Sequence, residues 1–135
     1  MEKIQIKTHG HGDCHDLTTQ IEELVGKSQV QNGIVNLFLS GSTAAITTIE
    51  FEKGAIRDFV EVLEKIAPEN HDYHHHLAWG DRNGAAHFKA ALIGPNLTIP
   101  LDSGKLQLGD WQQIVLFDFD EKPRTREILV QIIKS

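Results

Sequence analysis

The chain has 135 residues, 40% of them apolar and 24% charged, which suits one globular domain and excludes a multidomain machine, a disordered chain or a fibrous repeat. Its 13 Lys and Arg against 19 Asp and Glu give a formal charge of −6, so a nucleic acid is repelled overall. No run approaches the roughly 18 apolar residues of a membrane span. The alternating start Met1–Lys7 lacks an apolar leader core, and the lone Cys14 closes no intrachain disulfide, so a reducing, cytoplasmic setting is expected. The anomaly is a set of eight histidines: His9, His11 and His15, then His71, His74, His75, His76 and His87.

Ile4 and Ile6 alternate with polar residues as in a half-buried strand. Leu17, Ile21, Leu24 and Val25 predict a helix over about 18–26, with Thr18 or Thr19 as cap and Gly26 as stop. Ile34–Leu39 is nearly all apolar and reads as a central strand, bounded by Ser40-Gly41-Ser42. Thr43–Phe51 reads as another strand, with Thr47, Ile49 and Phe51 at alternate positions. Ile56, Phe59, Val60, Leu63 and Ile66 fall on one helical face, ended by Pro68. Residues 69–84 carry no periodicity, and a loop of that length is usually functional or disordered.

Asn83 then caps a helix through Ala85, Ala86, Ala90 and Ala91, stopped by Gly94-Pro95, with a strand over His87–Ile93 as the competitor. The last third reads as an antiparallel meander. Its parts are 97–101, a turn at Asp102-Ser103-Gly104, 105–108, 113–119, a turn at 120–123, and 127–133. About seven strands and three helices, helices early and strands late, argue an α+β fold around a large antiparallel sheet or sandwich.

Several constellations carry chemistry. The loop Asn70–His76, with Asp81, Asn83 and His87 downstream, offers imidazoles for zinc or a related metal. Consecutive histidines cannot all face one ion, and a polar loop bonded to backbone is the equal alternative. Ser40-Gly41-Ser42-Thr43 leaves a strand on small residues, where backbone N–H groups can converge on an anion; an ordinary turn is the plainer reading. Glu50 and Glu52 share a face if they lie in a strand, as a base or ligand pair or simply as a solvated face. His9-x-His11-x-x-Cys14-His15 resembles half of a soft-metal site. Asp118, Asp120 and Glu121 read as hairpin-end decoration. Arg124 and Arg126 share a face, for bidentate anion binding or, more plainly, for salt bridges to those carboxylates.

Taken together, Asp16-Leu17-Thr18, Gly33-Ile34, Ser42–Thr47 with Glu50, Trp79–Gly84 with His87, Leu92–Pro95, Ile99-Pro100, Gly104–Leu106, Leu108–Gln112 and Pro123–Arg126 resemble the YjbQ family of secondary thiamine-phosphate synthase-like proteins. The match is collinear over nearly the whole chain. It implies a single α+β domain over 1–135, a cytoplasmic homotrimer and a polar, histidine-lined cleft near a subunit interface. It also implies a phosphorylated small-molecule substrate, with transfer of a pyrimidine diphosphate to a thiazole phosphate as the reaction. Carried onto this chain, the resemblance marks His75, His87 and Glu50 as catalytic and His75 and His87 as ligands of a divalent metal, zinc-like or magnesium. Ser42, Thr43, Arg124 and Arg126 are the anion contacts, and Asp81 and Asn83 the groups that orient the imidazoles. Two positions depart from the pattern: Gly41 stands where the family commonly has a histidine, and Ala85 where relatives carry a polar residue. The alternative expectation is a non-catalytic anion- or metal-binding trimer that keeps the pocket without the chemistry. A purely structural trimer anchored by Trp79, Trp111 and Phe119 is a third, although such residues are more often core.

Overall fold

The computed structural model describes residues 1–135. Its elements run β1 (Glu2–Thr8), β2 (Asp13–Asp16), α1 (Thr18–Ser28), β3 (Gly33–Ser40), β4 (Ala44–Ile49), α2 (Lys53–Ile66), α3 (His76–Trp79), α4 (Gly84–Ile93), β5 (Asn96–Asp102), β6 (Lys105–Leu106), β7 (Gln113–Asp118) and β8 (Arg124–Lys134). All strand pairings are antiparallel, as expected for the α+β class. One sheet has the order β1, β8, β3, β5, β6 and the other β2, β7, β4.

Alternation sets the layers. Val35, Leu37 and Leu39 of β3, Ile128 and Val130 of β8, and Ile99 and Leu101 of β5 point inward. They meet Ala44 and Ile46 of β4, Ile114 and Leu116 of β7, and Leu17, Ile21 and Val25 along α1. The other face of the small sheet carries Ala45, Val115 and Phe117, which pack with Phe119 against Leu63 of α2 and Ala86 of α4. Thus β7 is buried on both faces, while β3 leaves Ile34 and Phe38 exposed on the outside of the large sheet.

That difference corrects the meander. A strand apolar on both faces has to lie between layers, so β7 sits at the centre of the small sheet, whereas the alternating β8 crosses to the large sheet between β1 and β3. Asp118–Pro123 is therefore a crossover rather than a hairpin end. Two short elements were invisible to periodicity: β2, four residues long, and α3, a single turn inside the histidine loop.

Helix ends also depart from expectation. Asp16, not a threonine, serves the start of α1: its Oδ1 accepts from the Thr18 N–H at 2.9 Å and from the Thr18 hydroxyl at 2.6 Å. Gln29, with φ +58°, closes α1, and Gly26 stays within it. β4 ends at Ile49, so Glu50 and Glu52 share no strand face. Glu52 instead caps α2, its Oε2 accepting from the Ala55 N–H at 2.7 Å. No helix is long and apolar enough to cross a membrane.

Candidate functional site

The polar loop between α2 and α4 is fastened around Tyr73. Its hydroxyl donates to the Pro68 carbonyl at 2.8 Å, and its ring makes edge contacts with His71, His76 and Phe88. Arg82 Nη2 donates to Asp72 at 2.7 Å across the loop, and the Gly84 N–H donates to His76 Nε2 at 3.1 Å. With His76 taken up by backbone, His75, at the start of α3, is the member of the triplet that meets His87 on α4. The two rings lie 4.5 Å apart, centroid to centroid, edge to face. The pair expected from the sequence is thus brought together.

α4 is itself anchored by Lys89, which is buried and donates to Glu64 of α2 at 2.6 Å. Sequence reasoning missed Lys89, because a lysine in an alanine-rich helix looks like a surface residue; only its place on the Ala86–Ala90 face signals burial. Burial, and then the neighbouring His75, pull the His87 pKa below its ordinary value, outweighing Asp120, the Ser42 backbone and Asp81, which favour the charged form. His87 is therefore a neutral imidazole near pH 7, with one nitrogen free to accept a proton.

Beside His87 runs the turn from β3 into β4. Gly41, Ser42 and His87, with Ala44, Ala90, Ala91 and Pro95, line a cavity of about 310 Å³. The backbone N–H groups of Gly41, Ser42 and Thr43 donate to nothing in the chain. Gly41 and Ser42, which line the cavity, thus leave two amide donors beside an imidazole, with that of Thr43 next in the chain; successive free amides are donors suited to an anion.

The remaining expected site residues fall elsewhere. Glu50 lies past the far end of β4, on the order of 20 Å from Ser42 at about 3.3 Å per residue; it borders a separate cavity with Asp16, Glu52 and Trp111. Asp81 pairs with Lys122 at 3.8 Å and hydrogen-bonds neither imidazole. Asn83 Oδ1 is buried with no partner, so it orients no ring either. The hydroxyl of Thr43 is committed: it donates to Asp120 Oδ2 at 2.8 Å and accepts from Arg126 Nη2 at 2.6 Å.

Arg126 Nε and Nη2 bind both oxygens of Asp118, at 2.6 and 2.9 Å, and Arg124 Nε binds Asp120 at 3.1 Å. Salt bridges to neighbouring carboxylates, the plainer of the two sequence readings, are what the structure contains: the Nε–Nη2 edge of Arg126 is taken by Asp118, while Arg124, with its side chain 39% exposed, engages only Nε and keeps its outer edge unpaired. Thr8 closes the same cluster by donating to Asp118 at 2.5 Å. Trp79 and Trp111 are exposed and Phe119 is buried, so only the last is core.

A zinc-like catalytic ion takes three protein ligands and an open position. His75 and His87 supply two imidazoles, and no three His, Cys, Asp or Glu side chains anywhere in the chain are arranged to hold an ion. Gly41 offers no ligand, and Glu50 is out of reach. In the N-terminal run His11 pairs with Glu69 and His15 with Asp13, each at 2.9 Å, rather than converging with Cys14. The donor set of one chain does not fit a resident metal, so no step below is routed through one.

An α+β domain of two antiparallel sheets, with a histidine pair and a free-amide turn at the edge of α4, defines the class. Its relatives are clear. The profile of the UPF0047 protein YjbQ-like family matches residues 2–135, and the chain belongs to that family. It is 35% identical over 131 residues to a UPF0047 protein of Archaeoglobus fulgidus, covering 97% of this chain and 99% of the relative. A UPF0047 protein of Methanocaldococcus jannaschii is 35% identical over 132 residues, covering 97% and 92%. Among solved structures, a YbjQ-like protein of unknown function from Sulfolobus solfataricus superposes with a TM-score of 0.94 at 33% identity, covering 99% of this chain and 96% of that one. An uncharacterised family member from Clostridium acetobutylicum gives 0.89 at 34% identity, covering 98% and 100%.

Proposed function

We propose that this chain binds a phosphorylated small molecule at the Gly41–Thr43 turn and that His75 and His87 transfer protons there. The contact between the two imidazoles, 4.5 Å apart on different elements, carries the reading. The thiazole nitrogen supplies the electron pair for the new C–N bond as the C–O bond to diphosphate breaks; the two imidazoles pass a proton to the departing diphosphate, and the free amides stabilise its developing charge. The reaction to assay first is the one the resemblance implies, joining a pyrimidine diphosphate to a thiazole phosphate with diphosphate leaving.

The wild type is expected to release diphosphate and form thiamine phosphate. His87→Gln is expected to lose roughly 100-fold or more, the lower range for a positioned acid or base. Full turnover by a folded His87→Gln protein defeats the reading.

A second reading, binding without turnover, is favoured by Gly41, which leaves the pair without a third imidazole. It predicts retention of thiazole phosphate with no product. The homotrimer belongs to the proposal as well. Native mass spectrometry of untagged protein reads assembly and bound ions in one spectrum. A trimer free of metal fits acid–base chemistry; one zinc or magnesium per subunit would mean that ligands are shared between subunits.

A further inference from the structure

Arg126 is only 6% exposed, and its guanidinium is held on two edges. Nε and Nη2 serve Asp118, and Nη2 also serves Thr43. Nη1 donates to nothing in the chain, yet the one buried polar side-chain atom without a partner is Asn83 Oδ1. Nη1 therefore keeps an edge that reaches solvent. That edge lies at Gly41: a Cβ placed there would stand 2.8 Å from Nη1 and 3.8 Å from Cζ, and beyond its own chain neighbours no other residue comes within 4 Å. Gly41 also has φ +155°, a conformation side chains rarely adopt.

We propose that Gly41 is a port through which Arg126 Nη1 reaches the ligand, joining the free N–H groups of Gly41, Ser42 and Thr43 to grip one oxyanion group, a phosphate or the end of a diphosphate. The inference rests on the phosphorylated-ligand reading above and names the group that recognises the phosphate. The donor is preorganised, since Asp118 and Thr43 already fix the side chain and binding costs little further ordering. A guanidinium-to-phosphate hydrogen bond is charge-assisted.

Arg124 and Arg126 are balanced by Asp118 and Asp120, so the port works by hydrogen-bond geometry at short range and adds little long-range attraction. Any side chain at position 41, the histidine of the family pattern included, would occupy the port.

Inorganic phosphate and pyrophosphate titrated calorimetrically into the wild type, Gly41→Ala and His87→Gln test the port. The wild type is expected to bind, and Gly41→Ala to weaken binding by about tenfold or more, the loss of one hydrogen bond from a charged donor. Equal binding by the wild type and Gly41→Ala, with loss only in His87→Gln, overturns the port and leaves the cleft reading standing. No binding of either anion by the wild type overturns both. If Gly41→Ala fails to fold, guanidinium NMR of the wild type decides: phosphate must shift the Arg126 side-chain signals, and unmoved signals overturn the port.

Discussion

Two polar regions lie a few residues apart and are built in opposite ways. Under the crossover from β7 to β8, Asp118, Asp120, Thr43, Thr8, Arg124 and Arg126 form a network in which every carboxylate and hydroxyl has a partner and only outer guanidinium N–H groups stay free. Across the β3–β4 turn, two imidazoles touch without a shared acid, and three amides have no acceptor. The first region holds its charges in balance: although burial opposes it, the Asp120 pKa stays below the ordinary value through hydrogen bonds from Thr43, the Glu121 N–H and Arg124. The second is left incomplete. A network whose acceptors are all paired specifies structure, and open donors beside it can accept a ligand.

The sharpest way to break the contrast is Asp118→Ala. Leaving Arg126 buried without its main partner is expected to cost about 3–5 kcal/mol, read from urea unfolding. A loss below about 1 kcal/mol would mean that water already enters the network. Thr43→Val removes a donor and an acceptor together and should cost about 1–3 kcal/mol. His87→Gln in the open region should stay within about 0.5 kcal/mol of the wild type while its catalytic or binding signal collapses. Large destabilisation there would make the histidine pair structural.

The smallest effects concern titration. The folded His87 pKa lies below its ordinary value of 6.5, so the unfolded chain binds more protons, and this group removes stability as pH falls through 6.5 and below. Replacing His87 by Gln should flatten stability between about pH 7 and 5. Removing the His75 charge with His75→Ala should raise the His87 midpoint, measured by NMR, without restoring the ordinary value, because burial remains. An unchanged midpoint would show that the rings do not sense each other. His11 has the opposite sign: Glu69 raises its pKa, so its stabilisation is present below 6.5 and is lost as pH rises through the raised value. That contribution is small, since the pair is more than a third exposed.

Much of the fold could be read from periodicity. α2 came from apolar spacing on a face it buries, α4 from alanine propensity and the Gly94-Pro95 stop, and β3 from its apolar run. β2 did not, since Asp13-Cys14-His15-Asp16 has no apolar alternation and becomes a strand only by pairing with β7. The separation of β7 from β8 was equally hidden: both are strand-like, and only the unbroken burial of Ile114–Phe117 distinguishes a strand between layers from one at a surface. At the site, family resemblance picked out His75 and His87, and the structure places their rings 4.5 Å apart. The shared face of Glu50 and Glu52 went astray because the strand was drawn two residues too long; β4 ends at Ile49. The salt bridge of Arg126 to Asp118 was legible as one to neighbouring carboxylates, but its bond to Thr43, far away in sequence, was not, and its free edge is visible only against the missing side chain of Gly41.

Both tryptophans sit on the surface, Trp79 with 81% and Trp111 with 72% of its area exposed. An unfolding curve followed by intrinsic fluorescence would therefore begin from an emission maximum already near that of water and would change little as the core opens. The same placement makes Trp79 useful in another way. It ends the short turn that begins beside His75, so its quantum yield should respond to a ligand seated against the histidine pair, giving a label-free optical reading of occupancy.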